Sequence, residues 1–476
     1  MNSIFRRIPR AIRNFHSSPI RSEDKLENYR SIQKANSSLQ DQYIRKLQNY
    51  RMSHEVATSI ESQQNDMFFG TEVLNRVSFL REDIEFVSQA VTHPSTRFVF
   101  YSNTNPLVNK HIDEKLVLIS NGDGQLQGCE TGAWGVEAWK KAVGNWSEFN
   151  KNHSPELRDG SNPTFLFLGL EDASVGLDLK ALKVEDGDEK YLDYQGRYQG
   201  IPYFAVDVTN SKELTETMLN FYNGIVNGDK TAGENEIFFT HSRKHTLAFT
   251  HREAAIFSHG KMMLDWLSRN KFCPGCGTKV IPIHAGGKLT CTNEKKTEDK
   301  YECPVKSGGV SNVTFPRTDA VIITAITNVE RTKVLLSLSK RFGSIKMYSC
   351  TAGFMEPSET VEVATRREIW EETGVVASKV NIVMTQPWPF PGNLMIGCLG
   401  VVEFNGTNEI IHLGHDKELA DARWFDIDFV RKMVYQNEVV DLEEFNPENI
   451  LLPMPESIAF LLIKLIVDQN YGTTKL

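Results

Sequence analysis

Long apolar runs are missing from this chain, and so is a surplus of basic charge. The longest apolar stretch, Ile458 to Val467, is interrupted by Lys464 and falls short of the ~20 residues a bilayer demands. It reads as a helix packed in a core, and no membrane span is expected. Lys and Arg total 53 against 61 Asp and Glu, for a net charge of −8. That balance argues against bulk electrostatic capture of nucleic acid. Cysteine is scarce as well: seven in 476 residues exclude a secreted disulfide scaffold. Cys129, Cys350 and Cys398 stand alone and read as small buried apolar residues. No internal repeat is evident, and residues 67–262 carry no catalytic constellation.

What the chain does have is one dense acidic signature. Gly353, Glu359 and the run Arg367-Glu368-Ile369-Trp370-Glu371-Glu372-Thr373-Gly374-Val375 fill the pattern G-x5-E-x7-R-E-U-x-E-E-x-G-U, with U apolar. Glu368 and Glu372 are four apart and share a helix face, with Glu371 beside them. Three crowded carboxylates repel each other unless cations sit between them. Hard oxygen donors suit Mg2+ or Mn2+, which in turn bind phosphate oxygens. The plainer reading is a solvated acidic face, which so many filled positions argue against. Ahead of the helix, Glu356-Pro357-Ser358-Glu359 predicts Ser358 as the cap and Glu359 in the first turn. Gly374 is expected to close the helix, and Arg367 to pair with Glu359 or a neighbouring carboxylate.

A second group of donors lies upstream. Cys273-Pro274-Gly275-Cys276 is followed by Cys291 and, after a Lys- and Glu-rich loop at Asn293–Tyr301, by Cys303. The C-x2-C knuckle lets two thiolates reach one tetrahedral ion, and the longer loop adds little entropic cost. Four thiolates leave no open position, so one structural Zn2+ is expected. It would hold together a segment too small to fold alone.

Composition divides the chain as follows. Residues 1–66 form a leader: Arg6, Arg7, Arg10, Arg13 and Arg21 precede the first acid, Glu23, as in a mitochondrial transit peptide, and a polar linker follows. The chain ends Thr474-Lys475-Leu476, which resembles the S-K-L peroxisomal tripeptide. The two addresses conflict, and Met52 or Met67 is a possible alternative start to Met1. Residues 67–262 read as an α+β domain, residues 263–312 as the zinc ribbon, and residues 313–476 as a catalytic domain with a carboxy-terminal helix. Within these, strands are expected at Phe98–Tyr101, Leu116–Ile119, Thr164–Leu170, Tyr203–Val208 and Val321–Ile326, and a helix over 250–270.

Past the acidic helix comes Gln386-Pro387-Trp388-Pro389-Phe390-Pro391-Gly392-Asn393-Leu394-Met395. Three prolines stiffen it, and Trp388 and Phe390 offer flat faces for a base or nicotinamide ring. With the acidic box and the four cysteines in this order, the chain resembles the NADH pyrophosphatase family of Nudix hydrolases. That family carries an S-Q-P-W-P-F-P-x-S-L-M signature. Thr385 replaces its first serine, and Gly392-Asn393 replaces x-Ser.

The resemblance implies a Nudix α/β/α sandwich and metal-dependent cleavage of NADH and NAD+ to NMNH or NMN and AMP. Removal of NAD caps from RNA is a further implied activity. It implies two or three Mg2+ or Mn2+ ions on the Ala352 carbonyl, Glu368, Glu371, Glu372 and Glu418, with Glu371 or Glu372 deprotonating water. Phe315, Phe354, the loop Gln386 to Asn393 and the Ala459 backbone are implied substrate contacts, in a homodimer. The alternatives are cleavage of ADP-ribose or dinucleoside polyphosphates, or an adaptor built on an inactive Nudix fold.

Overall fold

The computed structural model describes residues 66–110, 115–121, 136–153, 162–182, 190–227, 236–293, 303–306, 315–415, 417–435 and 446–468. The leader up to residue 65, Cys129, most of the ribbon loop and the Thr474–Leu476 tail lie outside them. Among the described residues no helix is long and apolar enough to cross a membrane.

The amino-terminal half is built on an eight-stranded sheet. Its elements are α1 (Ile84–Thr92), β1 (Arg97–Ser102), β2 (Asn105–Asn109), β3 (Lys115–Leu116), β4 (Leu118–Ser120), α2 (Val136–Asn152), β5 (Thr164–Asp172), β6 (Leu192–Tyr194), β7 (Tyr198–Asp207), α3 (Lys212–Asn227), β8 (Ile237–Phe239) and the short α4 (Arg243–Thr246). Strands β1, β5 and β7 are buried through most of their length, which is why they read as unbroken apolar runs rather than alternating ones. Phe86, Phe98, Phe165, Phe167 and Phe204 fill one side of the sheet.

Helix α5 (His251–Arg269) covers the other side with Ile256, Phe257 and Leu264. Its start is a capping box: Thr250 and Glu253 satisfy each other's backbone amides. The helix runs unbroken through the division drawn after Met262, so that line falls inside one element. Trp266, near its carboxyl end, packs with the ribbon cysteines, Val280 and Leu289, on the hairpin β9 (Val280–Ile283) and β10 (Lys288–Cys291).

The second large sheet has seven strands. It is formed by β11 (Asp319–Asn328), β12 (Lys333–Ser339), β13 (Tyr348–Ser349), β14 (Thr351–Phe354), β15 (Lys379–Trp388), β16 (Asn393–Val402) and β17 (Leu419–Asp426). Helices α6 (Val361–Thr373), α7 (Ile427–Tyr435) and α8 (Ile458–Asp468) complete the domain. A side chain at Gly400 would meet Ile369 of α6, and one at Gly397 would meet Ile458 of α8. Positions three apart on a strand point to opposite faces, so α6 and α8 sandwich the sheet. This is the α/β/α arrangement expected for residues 313–476.

The two sheets share one topology, a repeat that the sequence conceals. In the first, β2 and β4 run antiparallel to β1, β7 runs parallel to β1, β5 antiparallel to β7, and β8 antiparallel to β2. In the second, β12 and β14 run antiparallel to β11, β16 parallel to β11, β15 antiparallel to β16, and β17 antiparallel to β12. Helix α2 follows β4 as α6 follows β14, yet α2 carries no R-E-x-x-E-E run. The expectation of no internal repeat is corrected accordingly. Topology is set by the pattern of burial, which many sequences satisfy, so the repeat persists without matching residues.

Candidate active site

Strand β14 brings Ala352 opposite Ile323 and Gly353 opposite Ile322. The chain then turns through residues 355–360 into α6. Thr360, not Ser358, caps this helix, its hydroxyl accepting from the Val363 amide at 3.3 Å. Ser358 instead takes the left-handed backbone at φ 72°. Glu359 therefore precedes the helix, and the first-turn acid is Glu362. The expected Ser358 cap fails because Pro357 and the tight turn set the chain's entry two residues later. Gly374 ends the helix at φ 75°, donating its amide to the Trp370 carbonyl at 2.8 Å. A side chain there would also strike His412 at 2.8 Å.

One guanidinium organises the acids. Arg367 donates Nε and Nη2 to the two Glu359 oxygens at 2.7 and 2.9 Å. Its Nη1 donates to Glu368 at 2.7 Å and Glu371 at 2.8 Å, and Nη2 also reaches the Phe354 carbonyl at 2.9 Å. Such forked, charge-assisted bonds fix geometry as well as charge. Arg367, with the Glu356 amide, holds the Glu359 carboxyl down to about 2. Burial pushes the Glu368 carboxyl up, against the pull of Arg367.

Glycine at 353 is required by contact. A Cβ there would lie 2.0 Å from the Glu368 Cδ, so this carboxylate rests on the Gly353 backbone, next to Ala352. Glu372 is buried, while Glu371 is 41% exposed. The box thus brings Ala352, Gly353, Glu359, Arg367, Glu368 and Glu371 to one place. Glu418 lies on the exposed loop before β17. That loop docks on the box helix where His415 stacks on Trp370 at 4.2 Å. His412, 4.8 Å from His415, and Trp370 are neighbours of the site that spacing did not single out.

The Q-P-W-P-F-P loop departs from expectation. Trp388 and Phe390 are not open platforms: both pack edge-on against Phe69, at 5.7 and 5.9 Å, and against each other at 5.5 Å. Arg243 covers Phe390 at 4.7 Å, Pro389 and Gly392 are buried, and Pro391 is exposed after a cis Phe390–Pro391 bond. Gln386, fully buried, donates Nε2 to the carbonyls of Phe68 at 3.0 Å and Glu456 at 2.8 Å, and accepts from the Ile458 amide at 2.8 Å. Pro387 meets Gly70. The loop clamps residues 68–70 and the first turn of α8, where Ala459 sits buried with its carbonyl near the Cys350 thiol. Among the implied substrate contacts the exposed rings are those of Phe354, at 58%, and Phe315, at 44% and 5.2 Å from the Lys288 ammonium.

The cysteines converge as expected. All four Sγ atoms of Cys273, Cys276, Cys291 and Cys303 lie within 4.8 Å of one another. The Cys273–Cys303 and Cys276–Cys291 distances are 3.5 and 3.4 Å. These are too long for disulfides and near the ~3.8 Å edge of a tetrahedron with zinc–sulfur bonds of ~2.3 Å. The donor set fits zinc.

A NUDIX domain model matches residues 316–444. The chain is 38% identical over 368 residues to the NAD-capped RNA hydrolase NPY1 of Saccharomyces cerevisiae, covering 75% of this chain and 84% of that one. It is 32% identical over 408 residues to the NAD-capped RNA hydrolase of Schizosaccharomyces pombe, covering 86% and 94%. The human mitochondrial NAD(P)H pyrophosphatase NUDT13 is 28% identical over 233 residues, 49% of this chain and 60% of that one. With a complete box, a converged cysteine cluster and similarity running nearly the length of such relatives, the chain belongs to the NADH pyrophosphatase-type family of Nudix hydrolases.

Proposed function

We propose that this enzyme hydrolyses the pyrophosphate bond of NADH and NAD+ to NMNH or NMN and AMP, and removes NAD caps from RNA 5′ ends. The observation that carries the reading is the fan of carboxylates around Arg367, set against the Gly353 backbone. The names of the relatives support the substrate class. The carboxylate-rich donor set fits a hard divalent ion. Two or three Mg2+ or Mn2+ ions would be held by the Ala352 carbonyl, Glu368, Glu371, Glu372 and Glu418, there to neutralise the diphosphate and acidify a water.

The chain's own groups do the rest. Arg367 spaces Glu359, Glu368 and Glu371, and so fixes where negative charge faces the substrate. Glu371 or Glu372 would take a proton from the attacking water. That water adds in line to one phosphorus as the bridging P–O bond breaks, and AMP or the nicotinamide mononucleotide leaves. Phe354 and Phe315 offer exposed ring faces, and Gln386 fixes the first turn of α8, which carries Ala459. One structural Zn2+ on the four cysteines, a homodimer, and residence in the peroxisome or the mitochondrion complete the proposal.

The test is turnover of NADH, NAD+, ADP-ribose and NAD-capped RNA by the purified full chain with Mg2+ and with Mn2+. The expected result is cleavage of NADH and capped RNA ahead of ADP-ribose. ADP-ribose as the best substrate, or no turnover with either ion, would refute it.

A further inference from the structure

A groove of about 800 Å3 opens where residues 69–79, helix α5 and the leading ends of β11 and β16 meet. Its walls carry Arg76, His259, Arg317 and Asn393, with Glu72 as their acidic neighbour. Arg76 Nη1 lies 2.9 Å from His259 Nε2. Burial, with Arg76 and Arg81 nearby, pushes the imidazole well below its usual pKa, so His259 serves Arg76 as a neutral acceptor.

Behind this wall stands Arg81, whose Nε and Nη2 are buried without a hydrogen-bond partner. Burial and Arg76 bring its pKa down to about 10. Arg317 is exposed. Two guanidiniums on the walls, Arg76 and Arg317, with Arg81 behind them, outnumber the one carboxylate, Glu72, and leave a positive excess. An anion with several acceptor oxygens answers that excess.

The groove adjoins the catalytic strand. Arg317 and Thr318 lead into β11, and Ile322 pairs with Gly353, roughly 13 Å farther along at ~3.3 Å per residue. Phe79, 62% exposed and 5.6 Å from the Tyr198 ring, stands in the groove's lining. Cations beside flat rings are how single strands are followed.

We propose that this groove is a phosphate-anion site that receives the sugar–phosphate chain continuing from a dinucleotide in the cleft. The choice of occupant rests on the decapping reading above, whereas the site itself rests on its charge and on the exposed Arg317 and Phe79 in its lining.

The test measures KM and kcat of the full chain and of Arg76→Gln, Arg317→Gln and Arg317→Glu. Substrates are NADH and NAD-capped oligoribonucleotides of two and of ten nucleotides. AMP and inorganic phosphate serve as competitors. Expected is a rise of about tenfold or more in KM for the ten-nucleotide substrate, with kcat, NADH and the short substrate within about twofold. The salt dependence should flatten by about one unit of slope per phosphate contact removed. Arg317 is exposed on a connecting segment, so its variants test the idea even if Arg76→Gln unfolds.

Equal effects on long and short substrates, or a parallel loss on NADH, overturn the proposal. Loss of inhibition by inorganic phosphate alone keeps the anion site and overturns the chain as its occupant. If the unaltered enzyme cleaves NADH but no capped RNA, the decapping reading fails separately. Binding of an uncapped fluorescent oligonucleotide then decides the groove: loss in Arg317→Glu supports it, and unchanged binding overturns it.

Discussion

Substituting Gly353 with alanine should disable the enzyme while leaving the fold intact. The new methyl would lie 2.0, 2.1 and 2.2 Å from the three carboxyl heavy atoms of Glu368. Ordinary contact needs about 3.5 Å, so the carboxylate must retreat by roughly 1.4 Å. Because it is the end of a flexible side chain, it can move without disturbing the sheet. The backbone at Gly353 is not left-handed, so alanine is tolerated there, and a strand glycine gains a little rigidity on substitution. Catalytic groups, however, must hold position to about 0.5 Å, and a misplacement of about 1 Å costs on the order of 100-fold. That equals about 2.7 kcal/mol of barrier. The assay pairs kcat/KM for NADH across a Mg2+ titration with a thermal melt. The expected outcome is a fall of about 100-fold or more, a weaker response to Mg2+, and a melting temperature within about 2 °C. Near-normal turnover would show that Glu368 does its work elsewhere than over Gly353.

Four further outcomes follow from the same geometry. Arg367→Lys removes the fork on Glu359, whose carboxyl, held at about 2, contributes stability that is present above its unfolded value near 4.5 and is lost as pH falls toward 2. The variant's melting temperature should therefore decline with acidification less steeply than the parent's between pH 5 and 3, and an unchanged pH profile would contradict the pairing. Gln386→Ala strips three buried hydrogen bonds and should lower unfolding free energy by ~3 kcal/mol in urea titrations; a loss under ~1 kcal/mol would mean the clamp is not structural. Trp388→Ala should act on the melting temperature and Phe354→Ala on KM for NADH, the reverse pattern restoring Trp388 as the ring platform. Cys291→Ser should abolish the one zinc per chain measured by elemental analysis and destabilise the fold, and full stability without zinc would remove the ribbon's metal.

The acidic box was legible because its spacing is the chemistry: carboxylates a turn apart must face one another, and Arg367 has Glu368 beside it and Glu371 one turn on. The cysteine cluster was legible for the same reason. The cap was misplaced because Ser358 and Thr360 offer the same hydroxyl, and only the backbone turn at Ser358 decides between them. Trp388 and Phe390 read as a substrate platform because their partner, Phe69, comes from the far end of the chain, as does the Phe68 carbonyl, 318 residues from Gln386. A proline-stiffened aromatic loop looks alike whether it holds a nucleotide or a neighbouring domain. The repeated sheet topology left no motif because burial constrains residue class, not identity.

The most direct test of the central claim is anomalous diffraction from crystals of the full chain grown with Mn2+. The account predicts manganese peaks bounded by Glu368, Glu371, Glu372 and the Ala352 carbonyl, with Arg367 still on Glu359. Manganese bound elsewhere, with Arg367 still bridging Glu368 and Glu371, would contradict it.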